Sequence, residues 1–197
     1  MSASTLRTGG WIQTYTLRQF WPLDPRPEEV CIEDIAHALS NQCRFSGHLS
    51  VFYSVAQHCV EVSLFAQQEM ANRGAAPVKV LIAAQWGLLH DASEAYLVDV
   101  PRPVKHLPEM APYRVAEARL QGVICASFGL VHHEPDVVRV ADRRLCATEA
   151  RDLFPGLHPA WEQPAVPLRK RIRPWTPQVA EARFLERFAE LWLAGVP

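Results

Sequence analysis

The sequence predicts an all-α fold, and three observations carry that expectation. Apolar residues recur at helical spacing in one segment after another, period-two alternation is weak throughout, and the periodic runs are bracketed by helix-starting and helix-stopping residues. With 197 residues, the chain suits one domain with a sizeable core. Residues 1–31 are expected as an N-terminal arm packed on the domain. Residues 32–197 are expected as a single helical domain that includes a C-terminal helix.

The arm contains "FWPLDPRPEEV" and reads as irregular chain held to the domain by its aromatics. From Ile32 the pattern turns helical, with Ile32, Ile35, Ala36 and Leu39 spaced i, i+3, i+4, i+7; "NQCRFSGH" then breaks it. "YSVAQHCVEVSLFAQQEMANR" predicts a second helix with Val55, Val62 and Phe65 on one side and Gly74 beyond its end. "PVKVLIAAQWGLLHDASEAYL" predicts a third, begun by Pro77 and apolar on nearly every side, hence buried. Pro101, Pro103, Pro108 and Pro112 predict a loop. "YRVAEARLQGVICASFGL" is a fourth helix stopped by Gly129, and "PDVVRVADRRLCATEARDLF" a fifth with Pro135 near its first turn. "TPQVAEARFLERFAELWLA" is an amphipathic sixth, with Thr176 as N-cap and Pro177 at the first helical position.

Composition excludes several classes. Hydrophobic residues at 49% and charged residues at 21% are ordinary for a globular protein, and the formal net charge of -1 argues against a nucleic-acid polymer or a membrane surface as partner. The one basic run, "PLRKRIRPW", reads as a solvated loop. No apolar run reaches the length of a membrane span, and "MSASTLRTGGWIQTYTLRQF" lacks the apolar core of a secretory signal. Five cysteines, odd in number and never spaced C-x-x-C, predict reduced thiols in a cytoplasmic protein and no zinc finger.

One stretch does not fit a plain core. "QWGLLHDASEAYLVDVPRPVK" places His90 and Asp91 side by side in apolar sequence, with Glu94 and Asp99 just beyond. His58 sits mid-helix one turn from Val55 and Val62, and Asp142 sits in an apolar helical frame between Val138 and Leu145. Each alone is a buried polar group that costs free energy unless partnered. One divalent cation shared by all four would offset those costs together. Two imidazoles and two carboxylates suit Mn²⁺, Fe²⁺, Co²⁺, Ni²⁺ or Zn²⁺ with positions left for water, and Mg²⁺ completes the candidates.

In order along the chain, His58, the pair His90–Asp91 and Asp142 resemble the H…HD…D signature of the HD-domain metal-dependent phosphohydrolases. The flanking text "CRFSGH…YSVAQHCVEVS…LLHDASEAYLVDVPRPVK…YRVAEARL…VRVADRRL" is similar to the small nucleotidase branch, which includes bacterial 5′-deoxynucleotidases and phage-type deoxynucleoside triphosphohydrolases. The resemblance runs from Ile32 to Leu153. It implies a helical HD bundle of about six main helices and hydrolysis of a nucleotide phosphoester. It also implies His58, His90, Asp91 and Asp142 as ligands of one divalent ion, and Glu94 as the acid that positions the attacking water or passes protons. Arg44 matches an arginine that meets the phosphate. The residue after it is Trp in the nucleotidases and Phe45 here, which keeps an aromatic for base or sugar and loses an indole N–H. Asp99 matches an acid near the sugar hydroxyls, and Lys105 and His48 are weaker phosphate candidates. Trp86, Tyr96 and Trp192 read as core aromatics.

The expected activity is release of phosphate from deoxynucleoside monophosphates. A triphosphohydrolase is the alternative and would draw on Arg102, Lys105, His106 and the cluster Arg169, Lys170, Arg171 and Arg173. A non-catalytic nucleotide sensor is a second alternative. A di-iron oxygenase is a third, with His132 and His133 as poorly placed extra ligands. The family resemblance further implies a homo-oligomer.

Overall fold

The computed structural model describes residues 7–130 and 133–193, and within them the fold is all-α but for one small hairpin. That hairpin, β1 (Ile12–Gln13) and β2 (Gln19–Phe20), precedes α1 (Ile32–Asn41), α2 (Val55–Asn72) and α3 (Pro77–Leu89). Two single-turn helices, α4 (Glu94–Leu97) and α5 (Arg102–Lys105), lead to α6 (Ala111–Ser127), α7 (Asp136–Leu153) and α8 (Pro177–Leu193). Residues 1–6 of the arm, His132 and Ala194 at the end of the sixth predicted helix lie outside the described residues.

The centre of the bundle is α2, which packs against α1, α3, α7 and α8. Its start is fixed by Ser54, whose side chain accepts the Gln57 N–H at 3.1 Å. Its register against α3 is fixed by Gly87. A Cβ there would lie 2.7 Å from Ser63 Cα, so only glycine lets the two backbones come this close. The contact is locked by Ser63 Oγ, which donates to Ala84 O at 2.7 Å. At the other side of α2, Gln57 donates to Arg173 O at 2.9 Å and accepts the Trp175 N–H at 2.8 Å. The extended basic stretch is thereby strapped across the bundle before α8 begins.

Helix starts and stops agree closely with the sequence pattern. Gly74 and Gly129 follow α2 and α6 with φ of +67° and +68°, the left-handed geometry that glycine adopts without penalty. Thr176 Oγ1 accepts the Val179 N–H at 3.4 Å, the contact expected of an N-cap. Trp192 belongs to the bundle, stacked on Phe188 and donating from Nε1 to Phe128 O at 2.9 Å.

Two expectations are corrected. The third predicted helix is not continuous to Leu97: α3 ends at Leu89, and a turn intervenes before α4. Gln121 on α6 explains the break, since its Nε2 donates to Leu89 O at 2.7 Å and its Oε1 accepts the Ser93 N–H at 3.1 Å. The proline segment is not plain loop, because Pro103 and Pro108 sit in the first turns of α5 and a 3₁₀ turn (Pro108–Met110), where a missing N–H costs nothing. In the arm, Phe20 alone among the aromatics is fully buried, stacked on Tyr96 at 3.8 Å between ring centroids. Tyr15 lies over His37 of α1, and Trp21 beneath Arg7.

Candidate metal centre

Three helices deliver the centre. His58 comes from the middle of α2, Asp142 from α7, and His90 and Asp91 from the turn that Gln121 imposes on the end of α3. His90 itself keeps helical φ and ψ of -62° and -33° as the cap of α3. His90 Nε2 lies 3.2 Å from Asp91 Oδ2. His58 Nε2 lies 3.2 Å from Asp142 Oδ1 and 3.8 Å from Asp91 Oδ2. All four predicted ligands are thus brought together.

The proton positions follow from the other ring nitrogens. His90 Nδ1 is 2.9 Å from Gly87 O, and a carbonyl oxygen only accepts, so Nδ1 carries the hydrogen. His58 Nδ1 is 2.6 Å from the Glu149 carboxylate, which imposes the same arrangement. In the neutral form each ring therefore turns an Nε2 lone pair inward. Both Nε2 atoms are buried and lack a hydrogen-bond partner; the 3.2 Å approach to a carboxylate satisfies the distance of an ion pair without the alignment of a hydrogen bond. Two orphaned acceptors facing two carboxylates are what a cation site requires. His58, His90 and Asp142 offer ligand atoms all within 4.8 Å of one another, as do Cys59, His90 and Asp91.

The electrostatics agree. Burial, the largest influence on His90, disfavours its cation, yet Asp91 and Cys59 raise its pKa well above the ordinary value. For His58, burial and Arg44 oppose the charge while Glu149 and Asp142 outweigh them and raise it. Asp91 is held far below the carboxylate range in spite of burial, by His90, His58 and Arg44. Asp142, also opposed by burial, is lowered to about 2 chiefly by His58. The pocket demands positive charge at its centre, as protons or as a metal ion.

Beside it lies a cavity of about 210 Å³ lined by His90, Asp91, Ser93, Glu94, Lys105 and Glu117 among others. Glu94 is buried with Oε2 unpartnered. Burial first, then Asp91 and Asp99, push its pKa well above the usual range, against the pull of Arg44 and Lys105. Lys105 is engaged with Glu117 at 2.5 Å and stands 3.9 Å from Glu94.

On the other flank, Arg44 NH1 is 3.6 Å from Asp91 Oδ2. The chain turns left-handed immediately after it: Phe45, Ser46 and Gly47 have φ of +52°, +51° and +79°. For Phe45 and Ser46 this costs about 1–2 kcal/mol each. Phe45 remains half-buried with its ring edge-on to Phe154 at 5.2 Å. Val98, a β-branched residue at φ +67°, precedes Asp99. Gln42 ties the two strained segments together, donating to Glu94 O at 2.9 Å and accepting the Asp99 N–H at 3.4 Å. Such strain collects where a side chain must be aimed.

Relatives of the chain can be set beside this geometry. It is 37% identical over 186 residues to Uncharacterized protein YfdR of Escherichia coli strain K12, an alignment covering 92% of this chain and 95% of YfdR. The chain belongs to the YfdR family. Uncharacterized protein RCAP_rcc00048 of Rhodobacter capsulatus is 34% identical over 147 residues, covering 72% of this chain and 69% of the relative. No family model matches the chain.

Not every sequence-predicted residue reaches the centre of this YfdR relative. His48 is exposed, with its N–H on Phe45 O, and no described contact brings it to the site. Arg102 and His106 are exposed on α5. In the basic stretch Lys170 pairs with Glu61 and Arg171 with Asp152. His133 makes no described contact with the cluster. Four residues escaped the sequence reading: Glu149, Tyr53, Gln121 and Gln42. Only Glu149 left a trace, standing seven residues after Asp142 and so on the same face of α7.

Proposed function

We propose that the chain is a metal-dependent phosphohydrolase acting on nucleotides, and that it releases phosphate from deoxynucleoside 5′-monophosphates. The observation that carries this reading is the pair of buried Nε2 atoms, His58 and His90, orphaned opposite Asp91 and Asp142. The H…HD…D order of those residues supports it.

His58, His90, Asp91 and Asp142 would hold the ion. A divalent cation bound there supplies Lewis acidity, polarising a phosphoryl oxygen and bringing the ionisation of water toward neutral pH. Arg44, a rigid fork of donors already 3.6 Å from Asp91, binds the remaining phosphate oxygens and balances charge that grows on them. Glu94, whose buried position favours the protonated form, hands its proton from the carboxyl to the departing 5′-oxygen of the sugar. It recovers one from the attacking water, so that P–O cleavage and P–OH formation balance. Asp99 and the ring of Phe45 flank the space left for the nucleoside.

We favour the monophosphate. A triphosphate needs several free positive groups beyond the reacting phosphorus; Lys105, Lys170 and Arg171 are each bound to an acid, so it would have to draw on Arg102, His106, Arg169 and Arg173.

Incubating the protein with nucleoside mono- and triphosphates and Mn²⁺, Co²⁺, Mg²⁺ or Zn²⁺, then separating products by ion exchange, tests the reading. Phosphate from monophosphates is expected. Triphosphate as product transfers the chain to the alternative class. Nucleotide binding with no product under any metal makes it a sensor and overturns the proposal.

A further inference from the structure

The ligand set leaves one buried charge without a task. Glu149 stands on α7 with its side chain fully enclosed, 0% exposed, a costly place for a carboxylate. Its Oε1 accepts from His58 Nδ1 at 2.6 Å and from the Tyr53 hydroxyl at 3.1 Å. Its Oε2 lies 3.4 Å from Arg44 NH2. One partner is a predicted metal ligand and another is the predicted phosphate arginine.

We propose that Glu149 is a positioning residue that builds both subsites at once: one oxygen fixes the tautomer of His58, the other parks the Arg44 guanidinium. The proposal rests on the metal-dependent reading above. An ionised carboxylate only accepts, so it compels Nδ1–H and leaves the His58 lone pair on Nε2, facing Asp142 and Asp91. It also makes that imidazole a more basic ligand.

The second oxygen answers an electrostatic conflict. Arg44 NH1 stands 3.6 Å from Asp91 Oδ2, so its positive charge sits beside the place where a divalent cation would bind. Asp91, Asp142 and Glu149 set against Arg44 leave two negative charges when both imidazoles are neutral, which matches a doubly charged ion. Without Glu149 only one remains, and Arg44 is free to close on Asp91 and compete for a metal ligand.

The two functions separate by substitution. Glu149→Leu removes both. Glu149→Gln keeps an oxygen that can accept from His58 Nδ1 but removes the charge facing Arg44. The chain and both variants, stripped of metal, would be compared in three measurements: imidazole ¹⁵N resonances for the His58 tautomer at a pH where the ring is neutral, Mn²⁺ affinity by titration, and binding of inorganic phosphate to the Mn²⁺-loaded protein. Glu149→Leu should lose the Nδ1–H signature and bind Mn²⁺ about 10–100-fold more weakly. Glu149→Gln should regain the signature and most of the Mn²⁺ affinity, while phosphate binding stays about tenfold weaker.

Wild-type Mn²⁺ affinity and an unchanged His58 signature in Glu149→Leu would overturn the proposal. So would phosphate binding by Glu149→Gln equal to wild type, a result that decides the matter even if Glu149→Leu does not fold. A wild-type chain that binds no Mn²⁺ sinks the metal reading itself, whereas normal wild-type binding with indifferent variants sinks only the role of Glu149.

Discussion

Two buried charged clusters lie against the same helix, α2, and they end differently. Arg187 on α8 is 8% exposed, yet all three of its nitrogens are engaged: Nε with Ser63 Oγ at 3.0 Å, NH1 with Glu190 at 2.7 Å, and NH2 with Gln67. The His-Asp cluster, built with more care, is left incomplete. His58 Nε2, His90 Nε2, Arg44 Nε and Glu94 Oε2 are buried without hydrogen-bond partners. A polar group that serves the fold closes its own bonds. Arg7 Nε and Tyr96 Oη are open as well, but they lie outside the His-Asp cluster, which gathers four such atoms beside facing carboxylates.

The largest test of the contrast is Asp91→Ala. It should abolish turnover and metal retention, read by steady-state kinetics beside a Mn²⁺ titration of the metal-free protein. Retained Mn²⁺ affinity or turnover in the variant would break the comparison. Next is Glu94→Gln, which should lower turnover by about 10²–10⁴ with Mn²⁺ affinity held, measured by steady-state kinetics beside a metal titration.

Arg187→Leu should give the mirror image. Leaving Ser63, Gln67 and Glu190 without their donor should remove about 1–3 kcal/mol of stability in urea unfolding, with Mn²⁺ affinity untouched. The smallest effect concerns a second closed cluster. Asp152 accepts from Arg151, Arg171 and the Ile172 N–H. Against the effect of burial these lower its pKa to about 2, below an ordinary value of 3.8. A depressed acid stabilises the fold above its unfolded pKa and loses that contribution as pH falls through the folded one. Wild-type stability should therefore decline between about pH 4 and pH 2 by about 1–2 kcal/mol more than in Asp152→Asn, followed by thermal melts across that range. Added Mn²⁺ should not change this difference.

Much of the bundle was legible because its signals are local. Thr176, Gly74 and Gly129 mark helix ends by their own conformational preferences, and α1, α2, α7 and α8 begin and end within about two residues of the pattern. The end of α3 was not legible. Nothing in "GLLHDASEAYL" breaks a helix; the break is made by Gln121, an amide from another helix. His58, His90, Asp91 and Asp142 showed themselves as charges in apolar sequence. Glu149 did not, because a glutamate on an amphipathic helix is ordinarily solvated. Its burial depends on where Tyr53 and Arg44 arrive, which is a property of the packed chain.

The segment after Arg44 is pinched at its base. Cys43 bridges to Ser54, and the Arg44 N–H bonds Tyr53 O at 2.8 Å, so residues 45–52 leave and return at one fixed point. The stem fixes where the span begins and ends, and the Ser50 N–H on Leu153 O at 2.8 Å and Phe45 against Phe154 dock it on the end of α7. Exchanges in that span can therefore alter the surface beside Arg44 without shifting the arginine or the helix that follows, which makes it the part of the candidate site most open to grafting.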